Sequence, residues 1–246
     1  MDRWQGSVAL VTGASAGIGK SIAIELARHG MVVVGWARRL DKLKTIEDEL
    51  STEGKTFVGR QCDVADETAV LNEFSWIEKT YGKLNVVINN AGIGAVAYLA
   101  DGKTELWQKV FNVNLISVAV ITREAVKFMR KFKIDDGHLI FMSSIVGHMI
   151  TPLIGSGIYC ATKHGVTLMA EATRQELNAS GSKIRVSSVS PSFTKSEIFE
   201  RSGRKITDDM PYLECKDIAE IVAWILSASP SVQISDVIIR PTGSEY

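Results

Sequence analysis

The stretch SVALVTGASAGIGK, residues 7–20, decides the fold. Its first half is a run of aliphatic and β-branched residues, and its second half sets glycines at 13, 17 and 19 ahead of a helical pattern. A buried strand that breaks into a glycine-rich turn and then a helix opens a βαβ unit. Such glycines permit a tight turn, close approach of backbone to phosphate, and close packing of the helix, whose free N–H groups suit a pyrophosphate. The spacing is Gly-x-x-x-Gly-x-Gly, which differs from the Gly-x-Gly-x-x-Gly of most dinucleotide folds. Gly13, Ser15, Gly17, Ile18 and Gly19 are the candidate phosphate-turn residues.

Outward from this turn the pattern repeats. Apolar runs at 31–37, 56–64, 84–92, 138–144, 184–191 and 237–241 join 7–13 as candidate strands. Helical patterns lie between them at 17–29, 40–53, 66–80, 103–131, 157–180 and 215–227. Several runs are apolar nearly throughout, as parallel strands covered on both faces require. The expectation is an α/β fold: one doubly wound, Rossmann-type domain over residues 1–246, with a seven-stranded parallel sheet flanked by helices.

Composition narrows the function classes. The formal net charge is zero, which gives no electrostatic case for nucleic acid or an acidic membrane surface. Cys62, Cys160 and Cys215 have no metal-ligand spacing, so neither a metal nor a disulfide framework is expected, and the setting reads as reducing and cytoplasmic. No signal-peptide pattern opens the chain and no long apolar run predicts a membrane span.

In open α/β sheets, ligands bind outside the carboxyl ends of the strands. The second run ends in Ala37-Arg38-Arg39, without the carboxylate that would accept hydrogen bonds from a ribose 2′-OH. Guanidinium groups pair with a 2′-phosphate, so Arg38 and Arg39 predict NADP(H) over NAD(H). Asp63 and Val64 end the third run, where an aspartate either caps the next helix or faces an adenine. The fourth leads into NNAG, whose Asn90, Ala91 and Gly92 let a loop lie against a ribose. Asn114 stands in the apolar FNVNL, where it is either a satisfied packing residue or a holder of water for proton relay. Ser143 and Ser144 end the fifth run, and Tyr159 and Lys163 in YCATK share one helix face.

TGASAGIG, CDV, NNAG, Asn114, Ser144, YCATK and PSFTKS occur in this order along essentially the whole chain. In this it resembles the short-chain dehydrogenase/reductase family. The resemblance implies hydride transfer between a nicotinamide cofactor and an alcohol/carbonyl pair. It assigns Tyr159 as general acid or base, Lys163 as the charge that lowers the phenol's pKa and binds the nicotinamide ribose, Ser144 as the group that orients the substrate oxygen, and Asn114 as holder of a relay water. Ser144 is preferred to Ser143 because it stands three residues before Gly147. Pro191, Ser192, Thr194 and Ser196 are the implied contacts at the nicotinamide end. Ser192 replaces the family's glycine, and a differently shaped loop is expected there because serine adopts positive φ poorly.

Residues expected to face the substrate are largely apolar: Ile93, Val96, Tyr98, Met149, Ile150, Leu153, Ile154, Phe193, Ile198 and Phe199, beside Ser144 and Tyr159. Closer resemblance, in MDRWQGSVALVTGAS, GWARR, DDGHLIFMSS and VIIRPT, is to the group of insect farnesol dehydrogenases and their vertebrate cytosolic relatives acting on steroids. That implies a hydrophobic alcohol, farnesol or a related isoprenoid first. The alternatives are steroids, or small polar carbonyls or hydroxy acids kept open by Lys195, Arg201, Arg204 and Lys205. A low-turnover NADPH-binding regulatory protein is the non-enzymatic alternative, disfavoured because Asn114, Ser144, Tyr159 and Lys163 are all present. Segment 194–214 is expected to form a lid, and the resemblance implies a homodimer or homotetramer.

Overall fold

A computed structural model describes residues 1–150, 154–198 and 210–244. Seven strands form one parallel sheet: β1 (Val8–Thr12), β2 (Val32–Ala37), β3 (Phe57–Gln61), β4 (Val86–Asn89), β5 (His138–Met142), β6 (Arg185–Pro191) and β7 (Asp236–Ile239). Their spatial order is β3-β2-β1-β4-β5-β6-β7. The chain runs outward from β1 in one direction, then returns and continues from β4 in the other. The crevice between β1 and β4 is therefore the topological switch point, where a doubly wound sheet binds its ligand.

The helices are α1 (Gly17–Arg28), α2 (Leu40–Thr52), α3 (Glu67–Tyr81), α4 (Thr104–Phe111), α5 (Ser117–Lys131), α6 (Gly157–Ala179) and α7 (Cys215–Ser227). Side chains of one strand alternate between two cores. Ala9, Val11, Val33, Ile88 and Val189 pack under α1, α2 and α7, whereas Val8, Leu10, Val34, Val87 and Val186 pack under α3, α5 and α6. Both faces are dry, which is why the strands read as continuous apolar runs.

The strands end earlier than their apolar patterns, and the ends carry the site. β1 stops because Gly13 turns into the left-handed region at φ 69°. β4 stops because the Asn90 and Ala91 amides donate to Thr12 Oγ1, both at 3.0 Å, instead of to a ladder partner. β3 ends at Gln61, three residues short of the expected 64. There the Asp63 carboxylate accepts from Ala65 N at 3.1 Å and closes a turn. Asp66, not Asp63, caps α3 by accepting from Ala69 N. The single helix expected over 103–131 is two helices joined by a π-helical turn at Asn112–Ile116.

Candidate active site

The glycine turn is built for close approach. Gly13 and Gly17 both hold positive φ. A side chain at Gly19 would collide with the Gly13 carbonyl and the Asn90 amide, so α1 can start against the turn only with glycine there. Asn90 Nδ2 donates to Thr12 O at 2.8 Å, fastening the NNAG loop to β1. Together these segments border a cleft of about 380 Å³ at the switch point. Of the sequence-predicted residues, Gly13, Ser15, Gly17, Ile18, Gly19, Arg38, Arg39, Asp63, Val64, Asn90, Ala91, Gly92 and Ser196 line it, together with Ile93 and Ile198 of the substrate-facing set. Glu197, Leu106 and Lys109 also line it and had no signal in the sequence.

One end of the cleft carries a ready anion site. Arg39 Nε and Nη2 donate to Ser15 Oγ at 3.3 and 3.1 Å. Arg39 Nη1 pairs with the Glu197 carboxylate at 2.8 Å, and Lys42 Nζ joins the same carboxylate at 2.9 Å. Arg38 is exposed on the rim, its carbonyl accepting from Gln61 Nε2 at 3.2 Å. The cradle of glycines and the guanidinium aimed at Ser15 fit a nucleotide with a phosphate at this end.

Behind Gly92 lies the second cluster. A Cβ at Gly92 would stand 3.9 Å from Lys163 Nζ and 3.5 Å from Asn114 Oδ1, in ordinary contact with both, so the cleft borders directly on this cluster. Tyr159 and Lys163 lie one turn apart on α6, and Lys163 Nζ is 5.8 Å from the Tyr159 ring centroid. The phenol is desolvated and hydrogen-bonded to Ser144. Ser144 Oγ also reaches Pro191 O at 3.3 Å. Ser143 points elsewhere: its hydroxyl bonds Lys163 O at 3.0 Å and Thr167 Oγ1 at 2.8 Å. Of the two serines, Ser144 is the one bonded to the phenol. Gly147 matters here too, since a side chain there would collide with Ser143 Oγ, Thr167 Oγ1 and Lys163 O.

Burial sets the ionisation of the pair. It pushes the Tyr159 phenol up to about 12, with the Ser144 hydrogen bond opposing it. It lowers the Lys163 ammonium to about 8, while Nζ donates to Met142 O at 2.8 Å. Desolvation dominates the phenol in the chain alone. The phenol is held as an acid.

Asn114 is fully engaged through its side chain. Oδ1 accepts from Ile93 N at 2.8 Å, and Nδ2 donates to Ile93 O at 2.9 Å and Thr162 Oγ1 at 3.2 Å. Both amide hydrogens are used, which makes the side chain a clamp between the NNAG loop and α6. Pro191, Ser192 and Thr194 are buried beside the end of β6 and do not line the cleft. Among the described residues the only non-glycine with positive φ is Lys133, so Ser192 does not sit in the left-handed region. Thr194 pairs with Leu213 and brings the end of β6 beside the start of α7.

Of the substrate-facing expectations, Ile150, Ile154, Val96 and Tyr98 are exposed apolar side chains, and Met149 is half-buried. Ala97 N donates to Gly155 O at 2.8 Å, which holds segment 93–99 against the start of α6. Leu153, Phe199 and residues 199–209 of the expected lid lie outside the described residues. Among the described residues no group of His, Cys, Asp and Glu could hold a metal, and no helix is long and apolar enough to cross a membrane.

Known proteins agree with this arrangement. Residues 7–207 match the family described as short chain dehydrogenase. The chain is 39% identical to dehydrogenase/reductase SDR family member 11 of Gallus gallus, covering 98% of each. It is 38% identical to farnesol dehydrogenase of Aedes aegypti over the full length of both. Among solved structures, an alcohol dehydrogenase from the archaeon Thermococcus sibiricus complexed with 5-hydroxy-NADP superposes with a TM-score of 0.88 at 25% identity, covering 98% of this chain and 99% of that one. A metagenomic short-chain oxidoreductase in complex with NADP gives 0.82 at 30% identity, covering 98% and 99%. With its switch-point cleft, its phenol–ammonium pair and these relatives, the chain belongs to the short-chain dehydrogenase family of oxidoreductases.

Proposed function

We propose that the chain is an NADP(H)-dependent alcohol dehydrogenase/carbonyl reductase acting on hydrophobic substrates, with farnesol or a related isoprenoid alcohol as first choice. The observation that carries the reading is the desolvated Tyr159 phenol, bonded to Ser144 and one turn from Lys163, behind a nucleotide cleft with a cationic end. Arg39 with Ser15, and the rim residue Arg38, suit a 2′-phosphate, and two solved relatives hold NADP or a derivative of it. NADP(H), when bound, accepts the hydride from an alcohol or supplies it to a carbonyl.

The chain's own part is proton transfer and orientation. Ser144 and Tyr159 together hold the substrate oxygen, and Tyr159 gives up its proton as that oxygen gains charge. Lys163 replenishes the phenol's surroundings with positive charge in proportion to its protonation, and positive charge from an oxidised nicotinamide would strengthen the phenolate for the reverse direction. Any relay water at Asn114 meets its main-chain carbonyl or the second lone pair of Oδ1, since both amide hydrogens are committed. The exposed apolar surface at Ile150, Ile154, Val96 and Tyr98 supports an aliphatic substrate. Of the cations that favoured a polar one, Lys195 lies 5.3 Å over the Tyr212 ring, and Arg201, Arg204 and Lys205 are outside the described residues. The same reading makes the chain one catalytic domain, cytoplasmic and assembled as a homodimer or homotetramer.

The test is NADP⁺ and NAD⁺ reduction with farnesol, geraniol, a 17β-hydroxysteroid and serine. Turnover of the isoprenoids with NADP⁺ is the expected result. Turnover of serine alone would overturn the substrate class, and silence on every alcohol with tight NADPH binding would overturn the enzymatic reading.

A further inference from the structure

The anion site beside Ser15 is filled by the chain itself. Glu197, just past the β6 end, reaches back to Arg39 at 2.8 Å and Lys42 at 2.9 Å, and it also lines the cleft. Hydrogen bonds from Lys42 and Arg39 hold its carboxyl below the usual carboxylate range, so it is ionised at neutral pH. The end of β2 lacks the carboxylate of an NAD-preferring site, yet one arrives there from a residue 158 positions away.

We propose that Glu197 is the specificity-determining residue for the cofactor: an internal anion that competes with the 2′-phosphate for Arg39 and Lys42. This rests on the NADP(H) reading above. A phosphate monoester carries about −1.5 to −2 charges near neutral pH. Two anions cannot share the same two cations without repulsion, so a 2′-phosphate must displace the carboxylate, and its apparent affinity falls by the fraction of molecules in which the pair is closed. A nucleotide with a bare 2′-OH makes no such demand. Ile198, the residue after Glu197, stands over Gly94 in the NNAG loop, on the route between cleft and substrate face.

The experiment is titration of wild type, Glu197→Gln, Arg39→Ala and the double variant with 2′,5′-ADP, 5′-AMP, NADPH and NADH. Glu197→Gln is expected to bind 2′,5′-ADP and NADPH about three- to tenfold more tightly, the scale of two partly exposed ion pairs, with 5′-AMP and NADH unchanged. In the Arg39→Ala background the gain from Glu197→Gln is expected to shrink, because one of the contested cations is gone. A wild type with no preference for 2′,5′-ADP over 5′-AMP would overturn the NADP(H) reading itself. A clear wild-type preference that Glu197→Gln leaves unaltered, or shifts equally for both nucleotides, would overturn the role of Glu197 alone.

Discussion

Lys163 and His138 are buried and Tyr159 is half-buried with its phenol desolvated, and desolvation favours the neutral form of every one. For Tyr159 the neutral form is the acid that a carbonyl reduction needs. For His138, on β5, it is a matter of stability. Burial, helped by the charges of Arg185 and Arg3, lowers the imidazole to about 3. Ser187 Oγ donates to Ile234 O, so His138 Nε2 donates to Ser187 at 2.8 Å. The unfolded chain takes up a proton at an ordinary histidine pKa near 6.5, and the folded chain does so only near 3. This contribution is therefore intact above pH 6.5 and is lost as pH falls toward 3, at up to about 1.4 kcal/mol per pH unit. His138→Gln keeps a donor for Ser187 and removes the titration. Urea unfolding at pH 7 and pH 5 should show the wild type losing more stability than the variant, and equal losses would contradict this account.

At the scale of elements, the π-helical turn between α4 and α5 is what brings Asn114 to bear on the site. A continuous α-helix over 104–131 would rotate the residue out of register with Ile93 and Thr162, and π turns within helices often mark functional positions. The side chain then completes the hydrogen bonding of Ile93 on both its N–H and its C=O, and holds Thr162 beside Lys163. Asn114→Ala leaves these partly buried backbone groups without their partner, at a cost of about 2–4 kcal/mol. Chemical denaturation should show that loss, and under the proposed function turnover should fall more than cofactor affinity, since the clamp holds α6 and the loop at Ile93 together. A variant within about 0.5 kcal/mol of wild type would show that the clamp carries little of this order.

Across the whole molecule, the sequence exposed what is local and hid what is assembled. The glycine turn, the NNAG loop and Tyr159 with Lys163 are legible because each is a short string whose spacing fixes its geometry. The doubly wound order follows from the alternation of apolar runs and helical patterns. The π turn was not legible, because FNVNL keeps an ordinary helical appearance and the widening is a response to Ile93, twenty-one residues away. The Glu197 pair was not legible either, since it joins the ends of β2 and β6 through the fold. The protonated state of Tyr159 depends on how deeply α6 is buried, which no motif spells out. The central claim joins these scales: a desolvated phenol, oriented by Ser144 behind a nucleotide cleft, performs the proton transfer of an NADP(H)-linked reaction. It is tested most directly by following NADPH absorbance with farnesol and NADP⁺ for wild type and Tyr159→Phe, with NADPH affinity measured in parallel. The account predicts that the variant loses turnover by at least about 100-fold while NADPH affinity stays within about twofold. Turnover that survives the loss of the hydroxyl would contradict it.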